Sequence, residues 1–167
     1  ARSTQDSCLD FSGRELVALK SRRKAREAAL KALYEVEVGK TSVESAIEQM
    51  EAESDLDEDL TAFARALVAG VMTHMEDIDG VPSASLLEWD LGRIAAVDRN
   101  LLRVATFELF HSPGIPPAAT INEAIEIAKK YSTAESGKFV NGVLGQVLTR
   151  SPKANWNPAD AGEPEQA

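Results

Sequence analysis

Two short basic or polar stretches and one acidic helix start hold the side chains most able to recognise a ligand. The first is Arg22-Arg23-Lys24 with Arg26. On a helix Arg22 and Arg26 stand four residues apart and point the same way, which would bring two guanidiniums to neighbouring phosphates. The same cations also fit a solvated, solubilising face. At a helix start they oppose the dipole, each at a cost of roughly 0.3–1 kcal/mol, so the cluster invites an external anion.

The second stretch is Ser136-Gly137-Lys138-Phe139-Val140-Asn141-Gly142-Val143-Leu144-Gly145. At helical spacing Lys138, Asn141, Gly142 and Gly145 fall on one side and Val140, Val143, Leu144 and Val147 on the other. Glycine inside a helix costs roughly 1 kcal/mol relative to alanine, so either a neighbouring helix or a ligand should approach the backbone there. Phe139 can stack on an unpaired base or fill the core. The third is the helix start Asp98-Arg99-Asn100, considered together with Tyr34 and Glu37, where Asp98 is the expected N-cap.

Enzymatic constellations are absent from the sequence. There is no phosphate-cradling glycine loop, no G-x-S-x-G, and no nucleophile motif around His74 or His111. Those two histidines lack zinc-ligand spacing, and Cys8 is the only cysteine, so neither a metal nor an internal disulfide is expected. No catalytic residue and no cofactor is assigned. The acids Asp55, Asp57, Glu58 and Asp59 read as a helix entry in a solvated loop.

Helices must position these residues. Ser21 is the expected N-cap of a first helix with Ala25, Ala28, Ala29, Ala32 and Val36 inward, stopped by Gly39. Ser42 opens a second helix with Val43, Ile47 and Met50. A third runs from about Asp57 to Met75 with Leu60, Phe63, Ala64, Leu67 and Val71 on one stripe. Val81-Pro82-Ser83 should interrupt the chain, and a short turn through Leu86 and Leu87 leads to Trp89. A fourth long helix follows Asp98 with Leu101, Leu102, Ala105 and Leu109 inward. Thr120 with Glu123, then Ser132 with Glu135, have capping-box spacing for two more. No segment alternates as a strand, and the fold class is all-α, a bundle of about six or seven helices.

The chain of 167 residues suits one domain. We expect a flexible leader over residues 1–20, a folded unit over 21–150 and a flexible tail over 151–167. No run is long and apolar enough for a membrane helix, and the lone cysteine fits a reduced, cytoplasmic setting. A net charge of −9 argues against indiscriminate coating of nucleic acid. The charge is segregated, however: Arg14 to Lys31 holds seven Lys or Arg against Glu15 and Glu27, whereas Glu44 to Asp59 holds eight acids and no base.

Four blocks together resemble the NusB family. They are Arg23 to Tyr34, Val97 to Ala105 with Glu108-Leu109, Ile121 to Lys129, and Lys138 to Leu144, spread in order over about residues 21 to 149. The resemblance implies a bacterial transcription antitermination factor without enzymatic activity. It would pair with NusE, a small-subunit ribosomal protein, bind the single-stranded boxA element of nascent ribosomal RNA, and act with other Nus factors on RNA polymerase. Carried over by position, Arg22, Arg23, Lys24, Arg26, Glu135, Lys138, Phe139 and Asn141 would contact RNA, and Tyr34 and Asp98 would meet NusE. The family includes monomers and homodimers, and a homodimer would cover the basic face. Two other readings remain open on the residues: a protein adaptor whose basic helix serves solubility, and an accessory domain of the kind fused to ribosomal-RNA methyltransferases. For the latter, the chain has no room for a cofactor-binding α/β domain.

Overall fold

The computed structural model describes residues 13–85 and 91–157. Among them are seven α-helices and no strand: α1 Gly13–Glu37, α2 Val43–Glu53, α3 Glu58–Thr73, α4 Met75–Ser85, α5 Ala96–His111, α6 Pro117–Tyr131 and α7 Ala134–Arg150, with a 3-10 turn at Leu91–Arg93 before α5. Local chemistry sets several ends as expected. Ser42 caps α2 by accepting from the Ser45 amide at 3.1 Å, and Asp57 caps α3 by accepting from the Leu60 amide at 2.9 Å.

Other ends differ from the sequence expectation. The first helix begins at Gly13, so Ser21 lies inside it and residues 13–20 are helical rather than a leader. Val81-Pro82-Ser83 does not interrupt: Pro82 sits inside α4, where it removes one donor, and its ring is buried. Helix α5 starts at Ala96 with Ala95 as an N-cap lacking a side-chain bond, so Asp98 is in the first turn and not the cap. Pro117, preset for the first helical position, starts α6 three residues before Thr120. Thr133 rather than Ser132 caps α7, accepting from the Ser136 amide at 3.0 Å. The turn through Leu86, Leu87 and Trp89 lies outside the described residues, as do residues 1–12 and 158–167.

Helix α5 is the centre of the core. Its Leu101, Leu102, Ala105 and Leu109 pack with Ile127, Val140, Leu144 and Val147 of α6 and α7. Its Val104 faces the other way, into Ala25, Ala29 and Leu33 of α1 and Leu67, Val68 and Val71 of α3. Each fully buried leucine contributes about 1.5–3 kcal/mol through apolar burial. The alanines of α1 let α3 lie close against it, and this contact fixes which face of α1 the solvent sees.

The segment after α7 also belongs to the folded unit. Ser151 and Lys153 are buried, and Lys153 Nζ donates to the carbonyls of Glu108, Ser112 and Ile115 at 3.1, 2.5 and 2.6 Å. A cation thus closes the carbonyl end of α5, where the helix dipole favours it. Burial pushes the Lys153 ammonium below its ordinary pKa, against the raising effect of Glu108.

Candidate nucleic-acid interface

The basic cluster sits in the third and fourth turns of α1, because that helix begins at Gly13. The dipole conflict expected at a helix start therefore does not arise, since the effect is confined to the first turn. The four cations also differ in availability. Arg22 and Lys24 are exposed and make no ion pair among the described residues. Arg23 is half-buried and reaches Glu123 on α6 with Nε at 2.5 Å and Nη2 at 3.0 Å. This hydrogen bond raises the pKa of the guanidinium.

Arg26 departs from expectation. It shares a face with Arg22, both guanidiniums lying over the Phe63 ring at 5.5 and 5.7 Å, but it is only 3% exposed. Its Nε and Nη2 donate to Glu108 on α5 at 2.8 and 2.7 Å. The reason is its register: Ala25 and Ala29 press α1 onto the core and carry position 26 inward with them. A buried guanidinium is tolerable only with such a bidentate partner. A sequence signal existed in Glu108, an acid on the inward stripe of α5 three residues after Ala105, since a buried carboxylate needs a cation.

On α7 the two faces separate as their spacing predicts. Val140, Val143, Leu144 and Val147 are buried, whereas Lys138, Asn141 and Gly142 are exposed and Gly145 is half-buried. A Cβ at Gly142 or Gly145 would meet nothing within 4 Å. A neighbouring helix therefore explains neither; it explains only Gly137, where a Cβ would lie 3.2 Å from Cγ of Lys129. Phe139 is partly buried and packs on the α5–α7 core. Glu135 and Lys138 are both exposed and form an i,i+3 pair at 3.6 Å.

Helix α6 joins the two stretches. Glu123 and Glu126 both act on Arg23, Glu126 pairs with Lys129 at 3.4 Å, and Lys129 lies against Gly137. One turn further along α1, Glu27 receives Lys130 Nζ at 3.2 Å and the Tyr131 hydroxyl at 3.2 Å. The result is a chain of contacts from Arg23 through Glu123, Glu126 and Lys129 to Gly137 at the start of α7. The opposite character belongs to α2 and the start of α3, whose eight acids between Glu44 and Asp59 are all exposed.

Tyr34 and Asp98 lie apart in environment. Tyr34 is half-buried and lines a groove of about 730 Å3 with apolar Ala28, Met50, Leu56 and Val97 and charged Lys24, Glu27, Lys31 and Glu53. Asp98 is buried beneath the surface and accepts from the Ser136 hydroxyl at 2.9 Å, tying the starts of α5 and α7 together. Its neighbours turn elsewhere: Arg99 pairs with Glu37, which also receives Asn100 Nδ2 at 2.7 Å and Arg103 at 3.2 Å. Burial alone would raise the Glu37 carboxyl, but hydrogen bonds from Arg99 and Asn100 and the charges of Arg99 and Arg103 outweigh it, leaving the pKa lowered. His74 and His111 stack at 4.4 Å, and no three His, Cys, Asp or Glu among the described residues are grouped to hold a metal. No helix is long and apolar enough to cross a membrane among the described residues.

Against known proteins, residues 23–149 match the profile described as the NusB family. The chain is 45% identical over 143 residues to the transcription antitermination protein NusB of Heliobacterium modesticaldum, which covers 86% of this chain and 69% of that protein. It is 46% identical over 130 residues to NusB of Desulfitobacterium hafniense strain Y51, covering 77% and 88%. Among solved structures, T. maritima NusB superposes with a TM-score of 0.75 at 39% identity, covering 81% of this chain and 96% of that one. A structure of the antitermination factors NusB and NusE in complex with double-stranded RNA gives 0.72 at 26% identity, covering 78% and 98%.

Proposed function

The chain belongs to the NusB family, and on that premise we propose that it is an RNA-binding transcription antitermination factor and not an enzyme. In finer detail, it binds boxA-type RNA of nascent ribosomal transcripts together with NusE, within the Nus-factor complex on RNA polymerase in the cytoplasm. The observation that carries this reading is the open backbone at Gly142 and Gly145 on the helix of exposed Lys138 and Asn141, which α6 links to Arg23 of the basic stretch. Glycines that no other helix needs leave room for a ligand, and the flanking cations suit phosphate.

Within this reading Lys24, Lys129 and Lys138 meet phosphates, Arg22 and Arg23 face the RNA, and Asn141 and Glu135 offer hydrogen bonds to base edges. Phe139 and Arg26 support the surface from below. Tyr34 and its groove are the proposed seat of NusE, with Asp98 acting from beneath by holding Ser136. Three phosphate-contacting cations imply a log–log salt slope of roughly −2 for a single strand. The acidic remainder of the molecule keeps indiscriminate binding low, so NusE must add contacts.

The test is fluorescence anisotropy of a labelled boxA-type RNA, with and without NusE, at two salt concentrations. Tighter, sequence-selective binding in the presence of NusE is expected. No RNA binding in either case would leave a helical protein adaptor.

A further inference from the structure

Arg22 is an exposed cation held in a particular place. Its guanidinium lies over the Phe63 ring at 5.7 Å and makes no ion pair among the described residues. The ring itself is fixed, since Arg26 lies over it at 5.5 Å and is anchored by two hydrogen bonds to Glu108. Phe63 is half-buried on α3 and packs with the α1–α3 core. A long side chain that would otherwise sweep through solvent thus has its guanidinium held over an aromatic ring.

Electrostatics around it argue against a phosphate at this point. Asp59, one helical turn before Phe63, shares its side of α3, and Asp57 and Glu58 are beside it, all three exposed. A phosphate there would meet this acidic helix start, whereas a neutral base would not. Planar guanidiniums and aromatic rings are both surfaces on which unpaired bases stack.

We propose that Arg22 and Phe63 form a stacking platform for one unpaired base, marking the α3 end of the RNA track. Arg22 then reads single-strandedness and is not mainly a phosphate ligand, and Phe63 becomes an RNA-site residue on a helix outside the two stretches described above. The proposal rests on the RNA-binding reading and adds a recognition mode to it. It also implies a preference for an unpaired strand over a duplex, because paired bases cannot present a face to the platform.

The experiment measures binding of single-stranded boxA-type RNA to the whole protein with NusE, comparing the parent with Arg22→Lys, Arg22→Gln and Phe63→Leu. Stacking is worth about 1–3 kcal/mol per base. Arg22→Lys, which keeps the charge and loses the plane, should therefore weaken binding roughly tenfold with the salt slope unchanged. Phe63→Leu should do the same. Arg22→Lys sits on the surface, so its result does not depend on refolding of α3. In parallel, 2-aminopurine placed at successive RNA positions should be quenched at one position by the parent and recover there in both Arg22→Lys and Phe63→Leu.

Parental affinity in Arg22→Lys, with a slope about 0.7 shallower in Arg22→Gln, would make Arg22 a phosphate contact and overturn the platform. Unaltered quenching at every position in Arg22→Lys would overturn it too. Failure of the parent itself to bind RNA would instead refute the RNA reading, and the platform with it; binding by the parent with an unaffected Arg22→Lys refutes the platform alone.

Discussion

Removing the carboxylate of Glu108 separates a structural role for Arg26 from an RNA-binding one. The two side chains are 3% and 1% exposed and share two hydrogen bonds at 2.8 and 2.7 Å. Glu108→Ala leaves a guanidinium buried without its counter-charge, which costs about 3–5 kcal/mol. That is a large part of the roughly 5–15 kcal/mol by which a domain is stable. At about 2–4 °C per kcal/mol for a domain of this size, Tm should fall by roughly 6–20 °C. Arg26→Met should lose a similar amount, since it strands Glu108. The double variant Arg26→Met/Glu108→Leu removes both charges and refills the volume, so it should be more stable than either single variant. Urea unfolding followed by circular dichroism measures all three. RNA anisotropy on the double variant then supplies the decisive comparison: with folding restored and the methionine side chain packing on the Phe63 ring in place of the guanidinium, affinity should match the parent, because Arg26 itself does not reach the surface. A double variant that folds normally but binds RNA as weakly as Arg22→Gln would show that Arg26 serves RNA directly. A Glu108→Ala variant within about 1 kcal/mol of the parent would refute the energetics.

Gly142→Ala should stabilise α7 by about 0.5–1 kcal/mol, because the added methyl meets open space and alanine favours the helix; RNA affinity should fall at the same time, and parallel melting and binding curves would expose the trade. Glu37→Gln should cost stability at neutral pH and progressively less in acid. The Glu37 pKa is held below its ordinary 4.5 in the folded state, so its contribution is complete above 4.5 and fades as the pH falls through the folded value. Denaturant midpoints of parent and variant should therefore converge on acidification, and a constant gap would contradict the Glu37–Arg99–Asn100 contacts.

What periodicity reports is local, and the local features came through. The caps at Ser42 and Asp57, the inward stripes of α3 and α5, and the two faces of α7 all follow from spacing alone. The misjudged features depend on distant parts of the chain. Arg26 looked like a surface cation because Glu108 is 82 residues away, and Lys153 looked like part of a tail because its three carbonyl partners lie 38 to 45 residues earlier. Pro82 read as a break because its single lost donor is visible in sequence while the burial that offsets it is not. Gly142 and Gly145 suggested a close approach by a neighbouring helix or a ligand, and only the structure removes the neighbouring helix.

The separation of Arg26 from Glu108 has a consequence during synthesis. At about 5–20 residues per second, the ribosome adds the 82 residues between them in roughly 4–16 s, and Glu123, the partner of Arg23, emerges later still. Throughout that interval Arg23 and Arg26 of the nascent α1 lack the acids that hold them in the folded protein. The exposed charge of α1 is thus set only when α5 and α6 arrive, withdraw Arg26 and engage Arg23, and leave Arg22, Lys24 and Lys31 exposed.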